Sequence, residues 1–386
     1  MRNIIFKDFK NFGNRVEITT EIQKDGHKKE SVLFFEFFKE LDVPMEIIVL
    51  VLIRMFKFWD KIEVRQTVPI NVAEIGKNFI SSRTLLSFDK VDEKLKNIRY
   101  CKGDNLILCF TGGFDSLALS LTLPVNERKL VSVDFDGLWS KRERQWFNKF
   151  NTMVVKTNIL KEVGYSEITF QACPSLLYAN ELNSSYFTLG NIIEMDDAKN
   201  IGKRYKRNFV FPGLRELYFT YGLSEVSTLK IIAKTHPELI IGSFESLADN
   251  WTEKYLRKYL LVKSLEITDG IKIDLPVDDK NLNFGMVRFG DRYPSSFLYI
   301  YFHKFCGADF ASLYCKDAPE HILDFIKNHK LQFFNRVACN IFETMPRYFR
   351  NHFLWSLSNL DILPFNENDT KELTTMTRLI VQEKRS

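Results

Sequence analysis

The sequence predicts an α/β protein with a doubly wound, mostly parallel sheet, and three observations support this prediction. From about residue 100, short apolar runs alternate with amphipathic segments, which is typical of parallel strands connected by helices. One of these apolar runs leads into a pair of glycines, and a helical pattern follows at once. The 386 residues, 45% of them apolar, are enough to bury a large core.

Residues 1–98 are predicted to form an N-terminal α+β unit. The segment Val16–Thr19 alternates in polarity like a strand, and Asp25-Gly26 is a typical hairpin turn. The apolar positions from Ile47 to Phe58 indicate a buried helix, and Lys61–Val68 resembles a strand. This unit contains no catalytic motif, so its many aromatic residues are expected to fill cores.

Residues 99–330 are predicted to form the domain with the parallel sheet. Its alternating elements are strands at Asn105–Phe110, Leu130–Phe135 and Met153–Lys156, and helices at Ser116–Leu123 and Lys141–Phe150. A helix over Glu216–Lys234 and a strand at Leu239–Ile241 are expected to extend this order. Residues 331–386 have polar helical spacing and are predicted to be a C-terminal helical extension.

Composition and charge disfavour several classes of protein. The net charge is only +5, and the one dense basic cluster, Gly202–Arg207, is expected to be a solvated loop, so a nucleic-acid partner is not expected. The longest apolar run, Ile47–Ile53, is far shorter than the about 20 residues of a membrane helix. With no secretory pattern in Met1–Lys7, and with six scattered cysteines and no CxxC pair, we expect a cytoplasmic protein with reduced thiols and no membrane partner.

The segment Leu106–Leu117 carries the predicted chemistry. Gly112 and Gly113 allow a tight turn, and the amides of the following helix start then point at one spot that suits a pyrophosphate. Hydroxyls of Thr111 and Ser116 can donate to phosphate oxygens, whereas Asp115 would repel an anion unless it caps the turn or meets Mg²⁺. The alternative is an ordinary glycine turn of an α/β protein. The signatures GxxxxGK[ST] and GxGxxG are absent, which disfavours common kinases, GTPases and dehydrogenases.

This loop resembles the SGGxDS signature of the PP-loop ATP pyrophosphatases, with Thr111 in place of the first serine. The resemblance implies an adenine nucleotide alpha hydrolase-like domain that uses ATP and Mg²⁺, releases pyrophosphate and adenylates a substrate. It implies that the whole loop binds the nucleotide, namely Thr111, Gly112, Gly113, Phe114, Asp115 and Ser116, with Asp115 and Ser116 also catalytic. It further implies that main-chain groups of the next strand, at Val133, Asp134 and Phe135, hold the adenine or its ribose.

Within that family the sequence is most similar to the 7-cyano-7-deazaguanine synthases. The similar segments are Asn208–Arg215, Leu239–Ser243 and Ile273–Lys280. They imply that Gly213 and Gly242 contact the cofactor and that Arg215 and Lys280 are catalytic cations, although Arg215 is displaced by one position from the arginine of the family.

The zinc-binding region departs from that family. Only Cys306 matches its cysteine cluster, because Asp309 and Ser312 stand at the later ligand positions. A substitute set of His303, Cys306, Cys315 and His321 is chemically conceivable. Its spacing is not a recognised zinc pattern, so we expect core cysteines and surface histidines without zinc.

Further site residues are predicted from the position of strands and the need for cations. Glu245 and Asp249 follow the predicted strand at Leu239–Ile241, where a parallel sheet presents ligands, and can hold the substrate or Mg²⁺. The alternative is two carboxylates on a solvated loop. Lys263 joins Arg215 and Lys280 as a candidate cation for the α-phosphate, although residues of this kind are more often surface cations.

The function predicted from the sequence is ATP-dependent adenylation of a carboxylate on a deazaguanine-like or related substrate. The extra N-terminal unit and the altered zinc region suggest a divergent enzyme. The resemblance to divergent relatives in bacterial antiphage systems implies that an activated base is joined to a protein amine. A protein substrate or operon partner then accompanies the small molecule. Two alternatives stay open: a PP-loop epimerase or amidating ligase on a peptidoglycan precursor or amino acid, and a scaffold that binds ATP without turnover.

Overall fold

The structure is a computed structural model that describes residues 1–95, 103–136, 138–164, 172–195, 210–211, 213–247, 252–277, 282, 287–343 and 345–383. These residues group into two compact units. The sheet unit comprises residues 1–111, 126–189 and 208–217, and the helical unit comprises residues 112–125, 190–207 and 218–386. The predicted domain boundaries after residues 98 and 330 stay predictions.

The sheet unit is built around one 11-stranded sheet in the order β10-β11-β9-β6-β7-β8-β3-β2-β1-β4-β5. Its strands are β1 Arg2–Asn11, β2 Arg15–Lys24, β3 His27–Phe37, β4 Lys61–Pro69, β5 Leu85–Asp92, β6 Asn105–Cys109, β7 Arg128–Asp134, β8 Met153–Thr157, β9 Ser184–Thr188, β10 Val210–Phe211 and β11 Leu214–Leu217. The run β11-β9-β6-β7-β8 is parallel, and so is β1-β4-β5. The predicted α/β class with a large, mostly parallel sheet is therefore confirmed.

In the parallel run β11-β9-β6-β7-β8, the strands are added first on one side of β6 and then on the other. Along the chain, the five strands of this run follow one another as β6, β7, β8, β9 and β11. Across the sheet, starting from β8, they lie in the order third, second, first, fourth, fifth. The reversal lies between β6 and β9, and open α/β sheets bind ligands beyond the carboxyl ends of the strands at such a switch point. The chain continues from β6 through Thr111 into Gly112, and from β9 through Leu189 into Gly190.

The first strands of the chain add an antiparallel section to the same sheet. In β2, buried residues alternate with partly buried ones, and its turn into β3 uses Asp25 and Gly26, with φ of 52° and 82°. These positive φ values confirm the predicted hairpin. Strand β3 then pairs with β8, where Phe35 lies opposite Thr157. Strands from residues 1–98 and from the predicted nucleotide-binding domain therefore share one hydrogen-bonded sheet.

The helices are α1 Met45–Met55, α2 Ile70–Phe79, α3 Phe114–Thr122, α4 Leu138–Lys149, α5 Ile159–Val163, α6 Glu225–Thr235, α7 Leu239–Leu247, α8 Glu253–Asp269, α9 Tyr293–Cys306, α10 Ala308–Ser312, α11 Glu320–Asn328, α12 Arg347–Ser358 and α13 Glu367–Glu383. The run Ile47–Ile53 is wholly buried in α1, which confirms that it belongs to the core. Within the part of the chain that the structure describes, no helix has the length and apolar character needed to cross a membrane.

The helical unit contains α3, α6–α13 and two short parallel strand pairs. The pairs are β12 Val287–Arg288 with β13 Cys315–Lys316, and β14 Arg336–Val337 with β15 Leu363–Pro364. Aromatic rings fill its interior: the centroids of Phe219 and Phe353 are 5.1 Å apart, and those of Phe297 and Phe334 are 4.9 Å apart. The expected packing role of the aromatic residues in residues 1–98 is confirmed for Phe6 and Phe56, which are buried with ring centroids 5.6 Å apart. The helices predicted after residue 330 are present.

Two sequence predictions in this region are wrong. Leu239–Ile241 begins helix α7 and is not a strand, because three apolar residues are too few to distinguish a period of two from a period of 3.6. The predicted helix over Glu216–Lys234 begins only at Glu225, since the Ser224 side chain accepts a hydrogen bond from Ser227 N and caps it. Ahead of it, Leu214–Leu217 forms strand β11.

Candidate functional site

The predicted phosphate loop joins strand β6 to helix α3. Gly112 has a φ of +75°, a region where a Cβ atom costs about 1–2 kcal/mol, so glycine suits this turn. Gly113 is the extended residue that precedes the helix, and no side chain caps the helix at this position. The first turn of α3 therefore presents backbone N–H groups without intrahelical acceptors.

Hydrogen bonds to the carbonyl groups of Gly112 and Gly113 fix the course of the loop. The buried Ser243 hydroxyl on α7 donates to the Gly112 carbonyl over 2.6 Å. The Ser116 hydroxyl donates to the Gly113 carbonyl over 3.2 Å, and Leu117 N donates to the same oxygen over 2.8 Å. The carbonyl groups of both glycines are thus held toward the protein, and the Ser116 hydroxyl points back into the loop.

Gly190, which follows β9, packs directly against the first turn of α3. A Cβ atom at this position would lie 3.0 Å from Ser116 N and 3.3 Å from Asp115 Cβ. A larger residue at position 190 would therefore push against backbone that cannot move aside. Glycine at position 190 therefore allows the segment that follows β9 to approach the loop closely.

A charge cluster lies beside the start of α3, and its members are Asp115, Glu194, Glu225, Lys254, Arg257 and Lys258. Glu225 forms ion pairs with Lys258 and with Arg257, whose Nη1 is 3.1 Å from Glu225 Oε2. The backbone N–H of Glu225 donates to Glu194 Oε1 over 2.7 Å. Glu225 thereby connects helix α8 to the acidic part of the cluster.

Two contacts hold the first two residues of α3 in place, one from helix α6 and one from the charge cluster. The Thr228 hydroxyl on α6 donates to Asp115 Oδ1 over 2.9 Å. The Lys258 ammonium lies 4.4 Å from the ring centroid of Phe114, the first residue of α3, which is a cation–π distance. The charge cluster and the amino end of α3 therefore form one packed region within the helical unit.

Burial determines which members of the cluster carry charge. Burial, with the neighbouring charge of Glu225, raises the pKa of Asp115, and burial raises the pKa of Glu194 well above its usual range. Burial also opposes ionisation of Glu225, but Arg257 and Lys258 outweigh it and lower the pKa of Glu225. Glu225 is thus the anion that the two cations hold in place.

The structure describes most of the residues predicted from the sequence. The loop from Gly112 to Ser116, Gly242 and Glu245 belong to the helical unit. Val133, Asp134, Phe135, Gly213 and Arg215 belong to the sheet unit, as does Thr111. Asp249, Lys280 and the basic cluster Gly202–Arg207 lie outside the described residues.

The details of several of these residues differ from the prediction. Gly242 and the exposed Glu245 lie within helix α7, so Glu245 does not follow a sheet strand as predicted. The Asp134 carboxylate forms an ion pair with Arg144, a contact that the sequence did not indicate. Gly213 has a φ of +82° in the turn that pairs β10 with β11, and Arg215 is exposed on β11.

Of the charge cluster, only Asp115 was predicted from the sequence. The signal of the cluster was nevertheless readable in α8, because Lys254, Arg257 and Lys258 are three and four residues apart and share one helix face. Glu194 and Glu225 are far from α8 in the sequence, and only the fold brings them to it.

The four candidate zinc ligands have other surroundings. Burial raises the pKa of Cys306 and of Cys315 to about 12, which opposes the thiolate form that zinc binds. His321 lies 3.2 Å from a Glu383 oxygen. Among the described side chains, no set of three or more His, Cys, Asp or Glu residues is arranged to hold a metal ion.

Comparisons of this chain with protein-family models, with curated proteins and with solved structures find no match. The resemblance to the PP-loop pyrophosphatases therefore depends on the sequence motifs alone.

Proposed function

We propose that this chain is an ATP-dependent adenylating enzyme in which the loop Thr111–Ser116 binds ATP and the reaction releases pyrophosphate. The observation that carries the proposal is the turn at Gly112, whose φ is +75°, followed by the uncapped amino end of α3. This turn follows β6, one of the two strands at the reversal of strand order, where open α/β sheets bind nucleotides.

The physical basis of binding is the set of amides in the first turn of α3. Their N–H groups lack helical acceptors, and the helix dipole adds partial positive charge at the same end. A pyrophosphate oxygen satisfies both features at once. Because amide donors do not need to reorganise as charge moves to the leaving pyrophosphate, they also lower the energy of the transition state.

Mg²⁺ fits this proposal through Asp115. Magnesium in nucleotide sites is held by one or two carboxylates together with phosphate oxygens, and Asp115 lies in the first turn of α3. When bound, the metal would neutralise triphosphate charge. Since burial raises the pKa of Asp115, metal binding must displace a proton at lower pH, and the Thr228 hydroxyl helps to keep the carboxylate ionised.

The acceptor in the proposal is a carboxylate on a deazaguanine-like or related substrate, with transfer to a protein amine as the further step. This part is supported by the resemblance of the motifs to 7-cyano-7-deazaguanine synthases. A PP-loop epimerase or amidating ligase would use the same loop and a different acceptor. Products from a panel of carboxylates separate these activities.

A second candidate is a scaffold that binds ATP without turnover. It is favoured by the engagement of Asp115 with Thr228 and by the rise in the pKa of Asp115 on burial, because a protonated carboxyl group does not bind Mg²⁺. This candidate shares the nucleotide site and differs only in chemistry.

The experiment incubates the full chain with ATP, Mg²⁺ and carboxydeazaguanine and separates the products by chromatography and mass spectrometry. Adenylation predicts one pyrophosphate released for each substrate molecule that gains the AMP group, and an added amine should then displace an equal amount of AMP and give a product of changed mass. ATP that binds but stays intact with every carboxylate in the panel identifies the scaffold. Absence of ATP binding at millimolar concentration would overturn both candidates.

A further inference from the structure

Lys254 in the first turn of α8 differs from the other cations of the charge cluster. Arg257 and Lys258 are both paired with Glu225. Lys254 is half-buried, and within the described ranges its ammonium group has no ion-pair or hydrogen-bond partner. Burial, together with the positive charges of Lys258 and Arg257, lowers the pKa of Lys254.

A half-buried ammonium group without a partner is energetically unfavourable. Removing a charge from water carries a large desolvation cost unless an opposite charge or a hydrogen-bond acceptor replaces the water. Nearby cations add repulsion to this cost. An anion bound beside Lys254 would offset this cost, which makes Lys254 a candidate ligand-binding residue.

Helix geometry places Lys254 one turn from Lys258, which lies beside the phosphate loop. Lys254 and Lys258 are four residues apart, which is about 6 Å along one face of α8. The Lys258 ammonium is 4.4 Å from the ring centroid of Phe114, where α3 begins. Asp115 of the loop is near enough to influence the pKa of Lys254.

The ion pairs of the cluster also leave Lys254 available for an anion. Burial strongly disfavours the ionised form of Glu194, which leaves Asp115, Glu225 and Glu253 as the carboxylates near Lys254, Arg257 and Lys258. Glu225 pairs with Arg257 and Lys258, and Glu253 Oε1 lies 3.6 Å from Arg257 Nε, whereas no described carboxylate forms an ion pair with Lys254. Lys254 also lies in the first turn of α8, where the helix dipole adds partial positive charge.

We propose that the Lys254 ammonium binds an oxygen of the β,γ-pyrophosphate portion of the nucleotide held at the loop. The inference rests on the proposed function, because that function supplies the anion. Arg257 and Lys258, held by Glu225, act as positioning residues that keep the surrounding potential positive.

The test measures binding of inorganic pyrophosphate and of AMP to the full chain by calorimetry. Lys254→Met keeps the aliphatic stem and removes the charge, so its pyrophosphate dissociation constant should rise about 10-fold or more, with AMP affinity changed less than about two-fold. Lys254→Arg should recover most of the affinity. Lys304→Met is the control, because Lys304 is another half-buried helical lysine of the helical unit, bonded to the Ile326 carbonyl.

A second readout uses the unaltered chain. Pyrophosphate should protect Lys254, and not Lys304, from acetylation by acetic anhydride as followed by mass spectrometry. If the wild type binds pyrophosphate, but Lys254→Met binds it equally well and Lys254 is acetylated at the same rate with and without it, the role of Lys254 is overturned while the proposed function stands. If the wild type binds neither ATP nor pyrophosphate, both are overturned.

Discussion

The hydroxyl of Ser243 donates a 2.6 Å hydrogen bond to the carbonyl of Gly112, and this bond connects helix α7 to the turn of the proposed phosphate loop. Ser243 is fully buried, so water cannot replace it. With the Gly112 carbonyl turned toward α7, the amides that follow are left for a ligand. The position of the loop is thus determined by a helix more than 120 residues later in the chain.

Ser243→Ala should weaken both the fold and nucleotide binding. The variant leaves the Gly112 carbonyl without its buried donor, which costs about 1–3 kcal/mol. We expect the free energy of unfolding in urea to fall by that amount and ATP affinity to fall about 10-fold as the loop loses its fixed course.

Ser246→Ala is the matched control for this prediction. Ser246 is also buried on α7, but its hydroxyl donates to the Ser243 carbonyl within the same helix. Its loss should leave ATP affinity within about two-fold. Equal effects of the two substitutions on ATP affinity would show that Ser243 does not position the loop.

Thr228→Val should shift the pH dependence of Mg²⁺-supported ATP binding. The Thr228 hydroxyl lowers the pKa of Asp115 against the dominant effect of burial, so its removal raises that pKa further. A group with a raised pKa is ionised only at higher pH, and the pH at which Mg²⁺ enhances ATP binding should therefore move upward.

The control is Thr235→Val on the same helix, where the hydroxyl donates to the Ile231 carbonyl over 2.7 Å. Titrations of ATP with and without Mg²⁺ from pH 5 to 9 provide the measurement. Superimposable profiles of Thr228→Val and the wild type would exclude Asp115 as the group that controls metal binding.

Glu194→Gln should make the protein more stable than the wild type, and this difference in the free energy of unfolding should grow as pH rises. Burial, followed by the charge of Glu225, raises the pKa of Glu194 well above 4.5, and Glu194 Oε2 has no hydrogen-bond partner in the described structure. With a raised folded-state pKa, the stability associated with the neutral form is fully present at low pH. It is lost as pH rises from the ordinary glutamate range through the raised pKa.

Glutamine mimics the neutral acid and can keep the bond from Glu225 N. In that pH window the wild type should lose up to about 1.4 kcal/mol per pH unit relative to the variant. Urea unfolding from pH 4.5 to 9 measures the difference, and Glu266→Gln on the exposed part of α8 controls for the loss of one carboxylate. Parallel stability curves for Glu194→Gln and the wild type would contradict the prediction.

Local sequence patterns predicted the elements whose signals are local. The apolar run at β6, the glycine pair and the helix start at α3 could be identified because turn, strand and helix each leave a signature within a few residues. The Asp25-Gly26 hairpin could be identified for the same reason. Helix α7 could not, since its first apolar residues fit a strand equally well.

Long-range pairing is what the sequence could not predict. Strand β3 joins β8 through residues more than 100 positions apart, and no local pattern specifies that register. The charge cluster is similar, because Glu194 and Glu225 reach Lys258 and Arg257 only through tertiary packing. The spacing of the basic residues in α8 indicated a shared face, but not its partners.

The measurement that tests the central claim most directly is a calorimetric titration of the full chain with ATP and Mg²⁺, compared with Gly112→Ala. A Cβ atom at a φ of +75° disturbs the turn, so the variant should bind at least about 10-fold more weakly. Gly270→Ala introduces the same strain at a φ of +68° at the end of α8, in open space, and should bind like the wild type. Equal ATP affinity in all three proteins, or no heat of binding at millimolar ATP, would contradict the account.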